Sequence, residues 1–440
     1  MTAQSSQPPA TAGPYIRPIY LPADDGVFRV YAGDLLASVE ANTQQLAGDV
    51  AFRLTPRPQL YGRIAGGQAW LAEMVVGGRR PTLALPANPS LKPPVASALP
   101  TRTDDSRPWI DRSIPINNMT VGSLATVERF VIHLNGRLSD HPFPLCATQV
   151  EMQGQLPFAL PDWTLRLVAV DEYREGEDFP FIIEAIPDAL PVTRESVEQL
   201  QRRLFVILGF VAGREVGLAL TAGLDGSDEV MWATWSTPRI GTGQWRWCPD
   251  HLVDDALPDL ARGYALLTAD TTMEKVVDRA MNLYLVANGT QPVDARIPLA
   301  CSALELLAWA VLQSRQWITT DAYSKLTAAS SLRLLLQWAG IPVEIPSVFT
   351  ALDARRRSHG QPDWEAPDVL AKIRNDLVHP PKKLTQLEWP TSDEMAEAWR
   401  LSMHYLELVI LRLLDYKGMY LPRLQLTSRW VTHTETVPWG

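Results

Sequence analysis

The run Lys372-Ile-Arg-Asn-Asp-Leu-Val-His-Pro-Pro-Lys-Lys383 is the part of this 440-residue chain whose residue types and spacing could do chemistry. Arg374, Asn375 and His379 read R-N-x-x-x-H. Leu370, Ile373 and Leu377 give the segment one apolar helical face. Asn375 and His379 stand i, i+4 and share another face, and Arg374 is long enough to lean toward them. Pro380 has no backbone N–H and biases the residue before it away from helical geometry. His379 is therefore predicted on the last turn, beside unpaired carbonyls at the negative end of the helix dipole. An imidazole beside a guanidinium can act on a phosphodiester. The first moves a proton, and the second neutralises charge on phosphoryl oxygens. Lys382 and Lys383 follow at once and are candidates for holding RNA phosphates, as are Arg355, Arg356 and Arg357 upstream. Residues Asp353 to Lys383 carry seven basic and five acidic side chains, a locally positive stretch in an acidic chain. The bland reading stays open beside this one: Arg374 as an ordinary surface residue and His379 as an ordinary helix stop.

Glu305 bears on the choice. It is the only charge between Arg296 and Arg315, on an otherwise apolar helix. A carboxylate there is costly if buried without a partner, and Arg374 is the first candidate. The other reading puts Glu305 on a wet edge of its helix. Most other chemistry is absent. No P-loop, GxGxxG after a strand, HExxH or GxSxG occurs. Cys146, Cys248 and Cys301 lie far apart with no CxxC, and the seven histidines form no close pair. No metal site and no cofactor is expected. Sparse, odd cysteines fit a reducing cytoplasm, and the polar start to Gly13 lacks a signal-peptide core. The longest nearly uncharged run, Ile297 to Ser314, is interrupted by Pro298, Ser302, Glu305 and Gln313. It is read as a buried bundle helix, with no membrane association.

The elements that must position these residues follow from texture. The chain is 46% hydrophobic and 20% charged, so it can bury sizeable cores. With 40 basic against 49 acidic residues, a globally basic nucleic-acid scaffold is excluded. Thirty-six prolines exclude a wholly helical protein. The expected class is α+β multidomain. Residues 1–13 read as a disordered tail. Residues 14–85 read as a β-rich N-terminal domain, from VFRVY at 27–31, DVAFRLT at 49–55 and QAWLAEMVV at 68–76. A Pro-rich linker spans 86–116. Residues 117–265 form a β-rich central domain with one helix. Period-two patterning at Val150–Gly154 and Trp163–Ala169 supports strands, a hairpin is signalled around Gly223–Asp228, and Val197 to Val211 carry helical spacing. From 271 to 418 the texture is helical: 272–288, 297–317, 320–340, 347–356, 365–379 and 393–417. An antiparallel bundle is expected there. Residues 419–440 read as a C-terminal tail. Trp232, Trp235, Trp245 and Trp247 are candidates for a binding surface, although tryptophans on strands are usually core.

The helical region resembles a HEPN domain, a helical nuclease fold of prokaryotic defence and toxin systems. The residues that carry the likeness are Arg374-Asn375-Asp-Leu-Val-His379 with Pro380, and the Ala303-Leu-Glu-Leu-Leu307 helix upstream. The two β-rich parts are similar to the N-terminal regions of bacterial proteins related to ApeA or to phage YopA, on Gly223-Leu-Asp followed by Val230-Met-Trp-Ala. The resemblance implies a metal-independent endoribonuclease active in phage defence or as a toxin. Arg374 and His379 would be catalytic, Asn375 supporting, and two copies would meet in a homodimer around RNA. The β domains would sense a trigger ligand or hold the nuclease silent. Many HEPN domains are inactive, which implies the alternative of a dimerisation module whose β domains bind a protein or glycan.

Overall fold

The computed structural model describes residues 16–23, 26–39, 42–54, 57–64, 82–86, 89, 91, 114–135, 155–170, 179–238, 240–241, 243, 245–380, 388–424 and 433–440. The expected tail at 1–13, the strand at 68–76, the alternation at 150–154 and Lys382 and Lys383 lie outside these residues. The architecture is α+β: two antiparallel sheets followed by helices from about residue 250.

The first sheet contains β1 (Val27–Val39), β2 (Asn42–Arg53), β3 (Gln59–Ile64), β4 (Thr82–Ala84) and β5 (Ile114–Ile116), in the order β4-β1-β2-β3-β5. Ile114–Ile116, which the sequence reading assigns to the linker, is thus an edge strand, paired with β3 through Leu60↔Ile116. The second sheet contains β6 (Asn118–Gly122), β7 (Arg129–Asn135), β8 (Gln155–Leu160), β9 (Trp163–Ala169), β10 (Phe181–Pro187), β11 (Gly217–Leu224) and β12 (Val230–Ser236). Its order is β6-β12-β11-β7-β10-β9-β8. The hairpin signalled at 223–228 joins β11 to β12.

Because side chains alternate along a strand, the second sheet offers a separate apolar set to each side. Phe130, Ile132 and Leu134 of β7 face the helices, with Trp163, Leu165, Leu167 and Trp232. On the opposite side Leu220, Ala222, Ala233 and Trp235 pack against Phe28, Val30, Leu35, Val50, Phe52 and Leu60 of the first sheet. The central strand β7 is therefore apolar nearly throughout. Between its polar ends, Arg129 and Asn135, the exception is His133, fully buried, whose Nε2 accepts from the backbone N–H groups of Ile19 and Tyr20 at 3.1 and 3.3 Å while Nδ1 donates to the Leu220 carbonyl at 2.9 Å.

Helix α1 (Arg194–Ala212) lies between β10 and β11 in sequence and buries Leu200, Leu204, Ile207 and Val211 in the helix-facing core. Thr193 caps its start and Gly213 its end, at φ 65°. A side chain at Gly213 would also drive its Cβ into the Trp245 carbonyl, so the left-handed stop there is glycine's alone. Helix α2 (Val253–Leu267) packs on β8 and α1. The sequence reading places these residues in the β-rich domain. Its apolar face (Ala256, Leu257, Leu260, Ala261 and Tyr264) has helical spacing, although Pro258 lies inside the helix.

The remaining helices are α3 (Thr271–Ala287), α4 (Val293–Ser314), α5 (Thr320–Tyr323), α6 (Ala328–Ala339), α7 (Thr350–Ser358), α8 (Ala366–Val378) and α9 (Ser392–Leu413). The single helix expected at 320–340 is two. Thr327 accepts from the Ser330 N–H and starts α6 afresh, a capping role that competes with continuing the helix. Helix α4 packs against α3, α6, α8 and α9. Among the described residues it alone is long and apolar enough to cross a membrane, and most of that apolar stretch is buried against its neighbours. Residues 419–440, read as a tail, pair as β13 (Met419–Tyr420) and β14 (Glu435–Thr436) and set Tyr420, Arg423 and Val437 into the core. Trp232, Trp235 and Trp247 are buried, which corrects their reading as a binding surface; Trp245 is half-buried.

Candidate functional site

Helix α8 places the motif, and ion pairs from other helices place α8. At its start Glu365 and Asp368 form a capping box. Arg333 of α6 grips both carboxylates, Nε to Glu365 at 2.6 Å and Nη2 to Asp368 at 2.6 Å. On the buried side Val369, Leu370 and Ile373 enter the core, as the apolar spacing requires. Near the last turn Asp376 takes Arg355 of α7 at 2.7 Å and Lys372 of its own helix at 2.5 Å. Arg355 also reaches Glu394, in the first turn of α9, at 2.9 Å.

Arg355 therefore does not belong to an exposed RNA-binding patch. It is 3% exposed and bridges two carboxylates, holding α7, α8 and α9 together. A run of three arginines reads as a basic surface only while its partners are unseen. Arg356 and Arg357 are likewise engaged, both with Asp353, at 2.5 and 3.2 Å. Arg357 is otherwise exposed, and exposed pairs of this kind are weak.

The structure brings Arg374, Asn375 and Glu305 together. Arg374 Nη2 donates to both carboxylate oxygens of Glu305, at 2.7 and 2.9 Å, and Nη1 donates to Asn375 Oδ1 at 2.9 Å. Of the two readings for Glu305, the paired one is what the fold shows. The pair is half-buried, with Arg374 at 22% and Glu305 at 34% exposure. Solvent screens it accordingly, so it orients the guanidinium more than it stabilises the fold. Cys301 lies one turn before Glu305 on α4. Burial pushes its thiol up to about 12, so it is no nucleophile here.

His379 caps α8 with φ −116° and ψ 128°, the extended geometry that Pro380 imposes. Its backbone N–H closes the helix on the Asn375 carbonyl at 2.8 Å. The imidazole is exposed and has no partner among the described residues. The site is open rather than pocketed. A cleft of about 720 Å³ next to the helix is lined by Pro298, Leu299, Leu377, Trp389, Pro390 and Met395, among others, but not by Arg374 or His379. Apolar groups stand exposed around the motif: Val378 beside His379, Trp309 one turn beyond Glu305, and Trp389 before α9.

A second polar cluster had no sequence signal. Arg423, after β13, is buried with Glu407 of α9, donating to it from Nε at 2.8 Å and from Nη2 at 2.7 Å. Arg423 also donates to Asn288 Oδ1 at 2.8 Å, and the Tyr284 hydroxyl donates to Glu407 at 2.9 Å. Asn288 in turn donates to the carbonyls of Gly213 and Trp245. Every member is satisfied and fully enclosed, which marks a structural keystone rather than a reactive site.

Comparison with known proteins sets this geometry in context. No solved structure matches the chain. Residues 270–436 match the family described as the YopA C-terminal domain, so the motif helix, Glu305 and the Glu407–Arg423 pair all fall within the matched region. The full chain is similar to the SPbeta prophage-derived uncharacterized protein YopA of Bacillus subtilis (strain 168), 23% identical over 430 residues, covering 93% of this chain and 94% of that protein. The similarity thus runs along nearly the whole of both chains, and the matched C-terminal domain lies within it.

Proposed function

We propose that this chain is a metal-independent endoribonuclease of HEPN type, acting in the cytoplasm in phage defence or as a toxin, with its site at the C-terminal end of α8. One observation carries the reading. Arg374 is oriented at the surface by Glu305 and Asn375, while His379 ends the same helix with a free, exposed imidazole. His379 serves as general acid or base on the 2′-hydroxyl or the leaving 5′-oxygen, a contribution of about 10²–10⁴-fold. Arg374 neutralises charge developing on the phosphoryl oxygens. The 2′-hydroxyl is the nucleophile, so the products are 2′,3′-cyclic phosphates.

One copy supplies one imidazole, whereas the displacement needs a proton removed and a proton delivered. A two-fold homodimer supplies the second His379 through an isologous contact. The open site and the exposed Trp309, Val378 and Trp389 around it support such a contact on α8 and α4. The β-rich half then senses a trigger ligand. Likeness to a prophage-derived protein fits this setting.

The engaged state of Arg374 favours a second reading. Both of its terminal nitrogens already have protein partners, as in an inactive dimerisation module whose β sheets bind a protein or glycan. An RNase assay in excess chelator separates the two. Cleavage by the wild type, lost in Arg374→Ala and in His379→Ala with unchanged melting temperature, supports the nuclease. No chelator-resistant cleavage by the wild type, or full activity in either variant, sinks it.

A further inference from the structure

A cleft of about 640 Å³ opens where the second sheet meets the helices, away from the motif helix. Its walls come from β6 and β12 (Asn118, Thr120, Thr234, Ser236), from α1 (Arg194, Gln201, Arg202, Phe205) and from α3 (Asp278, Asn282). Two features set it apart from an ordinary groove between layers.

The first is an unclosed pair of charges. Arg202 makes no ion pair or hydrogen bond with a described residue, and Asp278 lines the same cleft without bridging to it. Asp278 is held in place by the Tyr264 hydroxyl, which donates to its Oδ1 at 2.7 Å, leaving the other oxygen uncommitted. Burial raises this carboxyl above its ordinary range. The second feature is a set of oriented amides with capacity to spare. Gln201 spends its Nε2 on Thr221 Oγ1 at 3.1 Å, and Asn282 spends its Nδ2 on the Asp278 carbonyl at 2.7 Å. The acceptor oxygens of both remain uncommitted among the described residues. Thr120 and Thr234 hydroxyls, 3.0 Å apart, share one hydrogen bond and keep one donor between them. Phe205, half-buried at the cleft, supplies an apolar wall.

Acceptors that are free and positioned call for a ligand rich in hydroxyl donors. The Arg202 guanidinium, which has no hydrogen-bond partner among the described residues, calls for an anionic group on that ligand, whereas Arg194 on the same helix is held by Glu198 of the cleft at 2.9 Å. An aromatic wall suits the carbon face of a sugar ring. We infer that this cleft is a binding site for a phosphorylated sugar, free or as part of a nucleotide, with its phosphate on Arg202 and its hydroxyls on Asp278, Gln201 and Asn282. The site shares no residue with Arg374, Asn375 or His379, so it stands whether or not the chain cleaves RNA. Helix α3, which forms one wall, packs directly on α4, the helix that carries Glu305, so occupancy has a short mechanical route to the motif.

The test is isothermal titration of the full chain with ribose 5-phosphate, AMP, ribose and inorganic phosphate. Saturable binding is expected for ribose 5-phosphate, AMP or both, and the preferred one identifies the source. Arg202→Ala is expected to weaken it at least about tenfold without lowering the melting temperature, since Arg202 is exposed and unpaired. Asp278→Asn, which keeps the shape and the Tyr264 contact, should weaken it as well. The inference is overturned if neither phosphosugar binds saturably, if inorganic phosphate alone binds as tightly, or if Arg202→Ala binds like the wild type.

Discussion

At the scale of single residues, Arg374 and Arg355 show two uses of an arginine, one held at the surface and one buried between helices. Arg374 presents its guanidinium at the surface of α8, half-shielded by Glu305. Glu305→Gln removes the charge that orients it while keeping the shape. Under the proposed nuclease function, RNA cleavage by that variant is expected to fall by about 10-fold or more, because guanidinium placement rather than presence sets transition-state stabilisation. Equal rates would show that the pair has no part in the chemistry. Arg355 is the opposite case. Arg355→Met leaves Glu394 without a cation and Asp376 with Lys372 alone, with an expected loss of about 3 kcal/mol in denaturant unfolding. A loss below about 0.5 kcal/mol would refute the clamp and restore Arg355 to the surface class. The sequence made Arg374 and Glu305 legible, because a lone carboxylate on an apolar helix demands a partner. It hid the role of Arg355, because Asp376 and Glu394 lie 21 and 39 residues away and nothing local announces them.

At the scale of elements, periodicity revealed helices but not what joins them. The apolar spacing of α1, α3, α4, α8 and α9 was readable, and so was the Pro380 stop. The break between α5 and α6 was not, because Thr327 caps a helix within a stretch whose apolar spacing runs on. The packing of residues 419–440 was equally hidden. Their buried ionic anchor, Arg423, meets Glu407 across 16 residues, and β13 and β14 are two residues long. That anchor yields a double-mutant prediction. Arg423→Met leaves Glu407 buried with only Tyr284, at an expected cost of about 3–5 kcal/mol. Adding Glu407→Leu is expected to recover much of the loss, because two apolar side chains need no pairing. Urea unfolding of the two variants measures both steps. A double variant no better than Arg423→Met alone would mean that the pair supplies more than mutual neutralisation.

At the scale of the molecule, two buried histidines, His133 in β7 and His404 in α9, set its acid limit. Burial lowers His133 to about 4, against the bond of its ring to the Leu220 carbonyl, and lowers His404 to about 3, with Arg423 adding to the effect. Both values lie below the unfolded 6.5, so between pH 6.5 and about 4 the unfolded chain binds protons that the folded chain refuses. Stability is therefore intact above pH 6.5 and falls as pH drops through that window, by about 3–5 kcal/mol for each histidine over its full range. His133→Gln keeps an acceptor and a donor for Tyr20 and Leu220 while removing the titration. Its melting temperature should depend less on pH between 6.5 and 4.5 than that of the wild type. An unchanged slope would exclude His133 as the source.

The unit that evolution recognises and the unit that folds do not coincide here. The family match opens at residue 270, yet the helix-facing core runs unbroken from Phe130 and Trp163 in the sheet, through Leu204 and Phe210 of α1, to Tyr284 and Leu307 in the bundle. Cut at 270, the helical half would lose the wall that covers Met281, Tyr284 and Leu285 and would present an adhesive apolar face to water. A lineage can therefore exchange this domain only together with a fitting sheet. Any partner that seizes the sheet takes hold of the bundle as well.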